Sequence, residues 1–229
     1  MLPLKDLNRS STTPHINRLL LITNIVIFLI YWLGAVGIFP NGTFVGFIEN
    51  EFVMIPEQIV HGQRLYTIFT SMFMHATWLH LFGNMLFLYV FGDNVEDAFG
   101  HLTYLVFYLF SGAAAAYGQI LSIGLVLPNS GTYADMIVGA SGAISGVLGA
   151  YLVLYPKAKV LAIILYVLVP IPAILFLGAW FALQWLYTFF DLAAGVAYWA
   201  HISGFIFGMI LALTIGLRRK KARDRRLRL

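Results

Sequence analysis

The sequence predicts an all-α polytopic membrane protein, a six-helix bundle with both chain ends on the cytoplasmic side. Three observations predict it. Hydrophobic residues make up 60% of the chain and charged residues 10%, with a mean hydropathy of +0.84; a soluble domain carries roughly a quarter charged residues. Six apolar segments are long enough to cross a bilayer, which takes about 20 residues: 19–38, 78–98, 102–123, 137–155, 158–181 and 197–217. Basic residues then gather on one side. Lys5, Arg9, Arg18, Lys157, Lys159 and the eight between Arg218 and Leu229 lie there, and Arg64 alone lies opposite, so 13 of 14 follow the cytoplasmic preference of Lys and Arg.

Taken in order, residues 1–18 form a polar cytoplasmic segment, 19–217 a membrane core and 218–229 a basic cytoplasmic tail. The run after Arg18 is long and lacks a small-residue cleavage site, so it reads as a retained membrane helix and not a secretory signal. The connection 39–77 holds Pro40, Asn41, Gly42, Glu49, Glu51, Pro56 and Arg64, but also Phe52, Val53, Leu65, Ile68, Phe69 and Phe73. Such a mixture suits a segment lying partly in the membrane interface. The loops 124–136 and 182–196 face outward with it. The charge of +4 sits largely in the tail and suggests lipid or topology, not nucleic acid. With no cysteine there is no disulfide framework and no thiolate site. No internal repeat is evident.

The polar residues inside the apolar segments lie at similar depths. Ser141 precedes Pro156 by 15 residues and His201 precedes Arg218 by 17, about 22 and 25 Å of helix above the inner end. His80 and Asn84 precede Asp93 by 13 and 9 residues, about 20 and 14 Å. Three segments thus bring polar groups to the outer half of the bilayer, where such groups are costly and face the bundle interior or a water-filled cavity.

Ser141, in Gly139-Ala140-Ser141-Gly142, opens a small-residue segment. At a helix N-terminus it has free backbone N–H groups beside it, suited to an oxyanion. The plainer reading is that Gly142, Ser145, Gly146 and Gly149 form a packing face; both hold if that packing brings Ser141 to His201. His201 shares a face with Gly204 and Gly208 and is the candidate base. Asp135 and Asp191 fall in outer loops, so a Ser–His pair without a buried carboxylate is expected. His80 and Asn84 are one turn apart and can donate to a developing oxyanion; His75 is the candidate for holding the interfacial connection. A metal or proton site from His75, His80 and His201 is the competing reading, and it lacks a carboxylate ligand or a His-Glu-x-x-His element. Glu96, in Gly92-Asp93-Asn94-Val95-Glu96-Asp97, is assigned to capping helix ends. His15, His61 and His101 are given no chemistry.

Together these residues resemble the rhomboid family of intramembrane serine proteases, from about Arg64 to Gly208. Gly139-Ala140-Ser141-Gly142 is similar to the family's Gly-x-Ser-Gly. Ala200-His201-Ile202-Ser203-Gly204 with Gly208 is similar to its Ala-His-x-x-Gly-x-x-x-Gly. His75, His80 and Asn84 resemble its His-x4-His-x3-Asn, and Asn94-Val95-Glu96-Asp97 the turn that follows. The resemblance implies that Ser141 is the nucleophile and His201 the general base. It implies an oxyanion hole of His80, Asn84 and the Ser141 N–H, supported by His75, Gly139, Gly142 and Gly204. It implies no cofactor or metal, and a transmembrane-helix substrate cut near its outer end. The sequence departs from the family at Gln63, where a tryptophan often precedes the arginine. It departs again at Ser145, where some members carry an aromatic residue stacked on the histidine. Six spans without an added helix or transit signature favour a prokaryotic plasma membrane. A helix-binding protein without activity, and a transporter or channel using the histidines, are the alternatives from other classes. The fifth helix and 182–196, with Phe181, Trp185, Tyr187, Phe189 and Phe190, are the candidate gate. Oligomeric state, substrate and pathway are left open.

Overall fold

A computed structural model of the chain describes residues 2–8, 10–38, 43–190 and 195–226. Arg9, Pro40, Asn41, Gly42, Asp191 and Arg228 lie outside these residues. The body is helical. Strand β1 (Leu2–Asp6) leads into α1 (His15–Ala35); α2 (Thr43–Phe52), α3 (Pro56–Val60), α4 (Thr67–Thr70) and a 3₁₀ turn at Ser71–Phe73 form the first connection; α5 (Trp78–Phe99), α6 (His101–Gly124) and α7 (Ser141–Leu154) follow. Strands β2 (Lys159–Ile164) and β3 (Val167–Pro172) precede α8 (Ala173–Phe190). The chain closes with α9 (Tyr198–Leu211), a π-helical turn at Ala212–Gly216 and α10 (Leu217–Arg226). Among the described residues four helices are long and apolar enough to cross a membrane: α1, α6, α8 and the continuous helix Tyr198–Arg225. The chain is a multi-pass membrane protein.

The span expected at 158–181 is not a single helix. Its first half is the β2–β3 hairpin, and β1 pairs antiparallel with β2 to give the order β1-β2-β3. The membrane-length helix, α8, begins only at Ala173. Pro170 and Pro172 cannot continue a helix backward from it, and Val160, Ile163, Ile164, Val167 and Val169 favour strands. The polar N-terminal segment is correspondingly not structureless, since Leu2 pairs with Ile163 and Asp6 with Val160. Phe181, Trp185, Tyr187, Phe189 and Phe190, the aromatics of the candidate gate, therefore lie in the second half of α8 and not in a loop. Asn94–Asp97 lies inside α5, which runs to Phe99 before Gly100, at φ +79°, turns the chain.

The helix at 137–155 is also shorter than expected. Residues 137–139 enter the bundle as irregular backbone outside the helix, and this backbone is satisfied by neighbours: Ile137 donates to the Met54 carbonyl (2.8 Å) and Gly139 to that of Ser71 (2.9 Å). Buried irregular backbone is tolerable only when so paired. The first connection is anchored by buried Met54, Ile59, Ile68 and Met72, and Arg64 reaches the Gln58 amide oxygen (3.3 Å) and the Tyr66 hydroxyl (3.3 Å) without the absent tryptophan.

The centre of the bundle is the contact between α7 and α9. A Cβ on Gly208 would strike the Gly146 carbonyl, one on Gly204 the Gly142 carbonyl, and one on Gly149 the Phe205 carbonyl. The two backbones therefore touch from Gly142 to Gly149 of α7, which small residues permit between membrane helices. This sets the rotation and register of α9 against α7, and so the position of everything the two helices carry.

Candidate active site

Ser141 is the first residue of α7, so the N–H groups of this first turn have no acceptor within the helix. His201 lies in the first turn of α9. The glycine-lined contact brings them together, with Ser141 Oγ 2.8 Å from His201 Nε2. The other ring nitrogen is also engaged: His201 Nδ1 lies 2.9 Å from the Gln184 amide oxygen on α8. Gln184 is buried, and its amide nitrogen donates to the Trp180 carbonyl (3.3 Å), which directs the oxygen at the histidine. An amide oxygen only accepts, so Nδ1 carries the hydrogen and Nε2 presents its lone pair to the serine.

The indole of Trp180 lies 6.0 Å from the imidazole, inclined at 35°. It supplies from α8 the aromatic face absent at Ser145, whose hydroxyl instead donates to the Ser141 carbonyl (2.7 Å). The Tyr198 ring approaches His201 edge-on at 6.2 Å. Sequence reasoning missed Gln184 and Trp180; the available signal was a carboxamide one turn after a tryptophan in an apolar helix, where such a group is costly without a partner.

Asn84 and His80 project from α5 into the cavity that holds Ser141 and His201, an opening of about 600 Å³ lined also by Phe87, Ile144, Trp180 and Tyr187. Asn84 donates to His75 Nε2 (3.0 Å), so His75 orients the carboxamide and leaves its second N–H for the cavity. Gly139, at φ +120°, lies against the His80 ring, and a Cβ there would come within 2.7 Å of it. Only a glycine suits both the backbone and the ring. Gly142 and Gly204 act through the helix contact described above. Gln119, a third residue the sequence reading passed over, accepts from the Ala200 N–H (3.1 Å) and donates to the Ser130 carbonyl (2.6 Å). It ties the start of α9 to α6 and to the loop that follows α6.

Glu96 is fully buried near the C-terminal end of α5. It accepts from the N–H groups of Ile16 (3.0 Å) and Asn17 (2.7 Å) at the start of α1, and from His101 Nδ1. It caps a neighbouring helix, as expected of it, and takes no part in the cavity. Among the described residues no three His, Asp or Glu side chains gather as a metal site, and His75 spends its Nε2 on Asn84.

The multi-pass helical bundle thus brings together a hydrogen-bonded serine and histidine at two helix starts, beside inward-facing carboxamide and imidazole groups. The Rhomboid domain profile matches residues 62–218, well over half the chain, and the chain belongs to the rhomboid family. It is 32% identical over 173 residues to Rhomboid protein 1, mitochondrial, of Saccharomyces cerevisiae, covering 70% of this chain and 45% of that protein. It is 30% identical over 169 residues to RHOMBOID-like protein 4 of Arabidopsis thaliana, covering 71% and 37%. It is 35% identical over 96 residues to the Rhomboid protease AarA of Providencia stuartii, covering 39% and 34%. The chain thus spans less than half the length of these relatives.

Proposed function

We propose that this chain is an intramembrane serine endopeptidase that cuts transmembrane-helix substrates near the outer membrane face. Ser141 is the nucleophile and His201 the general base. The observation that carries the reading is the Ser141–His201 hydrogen bond of 2.8 Å with Nδ1 occupied by Gln184.

As Ser141 Oγ attacks the scissile carbonyl carbon, its proton passes to His201 Nε2. The tetrahedral oxyanion accepts from the Ser141 N–H, the free Asn84 N–H and the His80 ring. The proton then goes to the leaving amine, the C–N bond breaks and an acyl ester remains on Ser141. A water gives a proton to Nε2, attacks the ester carbon and releases the new carboxyl end as the proton returns to Oγ. A substrate helix must unwind locally, because a helical carbonyl is already bonded within its own chain.

The membrane arrangement belongs to the same proposal: six spans formed by α1, α5, α6, α7, α8 and α9, both ends cytoplasmic, the chain divided as 1–18, 19–217 and 218–229, in a cell membrane of prokaryotic type. Contacts between the N-terminal segment and α10 through Asp97 favour ends on one side. Relatives named as mitochondrial and chloroplastic make organelle membranes the other outcome of localisation.

The test is labelling of the purified protein by a fluorophosphonate, with cleavage of a single-span substrate in liposomes. The intact protein is expected to do both, and Ser141→Ala and His201→Ala neither, with unchanged thermal unfolding. Cleavage persisting in Ser141→Ala would end this mechanism. A folded protein that neither labels nor cleaves would be a rhomboid-like binder of membrane helices.

A further inference from the structure

The β2–β3 hairpin carries residues that its own geometry disfavours. Its two-residue turn is Leu165-Tyr166, at φ +47° and +69°. Both central positions are left-handed, as in a type I′ turn, which normally takes Asn-Gly or another pair containing glycine. Bulky side chains are strained there. Yet Leu165 is 87% exposed and Tyr166 fully exposed, followed by exposed Val167 and Leu168. A two-sided hairpin in water alternates apolar with polar residues; here no charged residue lies between Lys159 and Asp191.

The faces of the hairpin are not equivalent. Val160 and Ala162 are buried near its base, while six residues of strand carry the tip about 20 Å away. The base sits where α7 ends and α8, a membrane-length helix, begins. Exposed Lys157 and Lys159 flank it. The open edge is also informative. Ile164 pairs with Val167 across the turn, so by the antiparallel alternation Leu168, Pro170 and Pro172 turn their backbone groups outward. Two of those three lack an N–H, and prolines at such positions prevent pairing with another strand.

We infer that the β2–β3 hairpin is a membrane-surface anchor, its Leu165-Tyr166 tip seated at the headgroup–acyl boundary of the leaflet on the side of α7's C-terminus. An aromatic at the tip suits that boundary, where amphipathic rings concentrate. The lysines at the base suit anionic headgroups. The proline-bearing edge argues against a second copy as occupant. The anchor would hold the start of α8, the helix that carries Trp180 and Gln184, at a fixed depth. The inference does not depend on catalysis.

The absence of native cysteine allows single spin labels in the full chain. The protein carrying Tyr166→Cys, Leu168→Cys, Lys157→Cys or Arg225→Cys is reconstituted in phosphatidylcholine–phosphatidylglycerol vesicles. Collisions of each label with oxygen and with a water-soluble nickel chelate are compared. At Tyr166 and Leu168 the oxygen-to-nickel ratio is expected to exceed that at Lys157 and Arg225 several-fold, with Tyr166 the deeper. A tip label as open to nickel as the one at Arg225 overturns the proposal. A label shielded from both reagents, with spin–spin broadening that disappears on dilution with unlabelled protein, overturns it in favour of contact between copies.

Discussion

At His201 both ring nitrogens are committed, and the neighbour at Nδ1 is neutral. In serine hydrolases with a carboxylate in that place, the acid both fixes the tautomer and stabilises the imidazolium. Gln184 can do the first and only weakly the second, because an amide dipole brings no net charge. It is a positioning residue: it keeps Nε2 free of hydrogen and aimed at Ser141. Gln184→Met, close in volume but without an acceptor, is expected to lower kcat on the order of 10²-fold, the lower end of what a positioned base contributes. KM and thermal unfolding should change little. Gln184→Glu keeps an acceptor oxygen and should retain most of the activity. Equal losses in the two variants would show that Gln184 only packs. Ser141, His201, His80 and Asn84 stand out in the sequence as polar residues at similar depth in apolar segments, while their proposed roles, and the place of His75, come from the resemblance of the motifs and not from spacing. For Gln184 and Trp180 the local pattern offers only a costly carboxamide one turn after a tryptophan; its partner depends on the rotation of α8 against α9, which that pattern does not encode.

Among the elements, α7 and α9 carry the geometry and α5 and α8 the access. Gly208 faces the Gly146 backbone directly, so Gly208→Val must push the helices apart. Overpacking at such a contact costs about 1–3 kcal/mol. A shift of even 1 Å would also break the 2.8 Å hydrogen bond between Ser141 and His201. Fluorophosphonate labelling should therefore vanish at temperatures where the variant is still folded; labelling at the wild-type rate would separate the glycine contact from the site. Residues of α5 and α8 both line the cavity, and beside it the Phe87 and Phe176 rings hold the two helices together with centroids 6.4 Å apart. A reducible spacer joining cysteines at these two positions is expected to stop cleavage of membrane-embedded substrates, and reduction to restore it. Unchanged cleavage while crosslinked would move the entrance elsewhere. The helices were readable from hydropathy, but the hairpin was not. An apolar run without charges has the composition of a membrane span and of an apolar strand pair alike. The deciding residues, Pro170 and Pro172, act only by forbidding the helix.

Across the whole molecule, the end opposite the cavity is closed by polar contacts between distant parts of the chain. Ser11 and Thr12 donate to Asp97, Asn8 to Asn94, and Arg223 of α10 to Asp97. Asp6, at the end of β1, accepts from Asn94 (2.6 Å), from Tyr151 of α7 and from the Asn8 N–H (2.8 Å). The clasp thereby ties the N-terminal strand to the helix that begins with Ser141. Burial dominates at Asp6 and raises its pKa from 3.8 to about 6, against the lowering effect of these donors and with the help of nearby Asp93. The sign follows from linkage. A carboxyl whose pKa is higher in the folded state adds stability below its unfolded value, and that contribution is lost as pH rises through the folded value. The docked N-terminal strand should therefore loosen between about pH 4 and pH 6 and change little above. Asp6→Asn, which keeps an acceptor and cannot ionise, should remove this slope. The comparison is the difference in unfolding midpoint between wild type and Asp6→Asn from pH 4 to pH 7, in which titrations common to both proteins, such as that of Asp97, cancel. The difference should fall as pH rises through the window. A flat difference would mean that Asp6 is ionised throughout and that its three donors outweigh its burial.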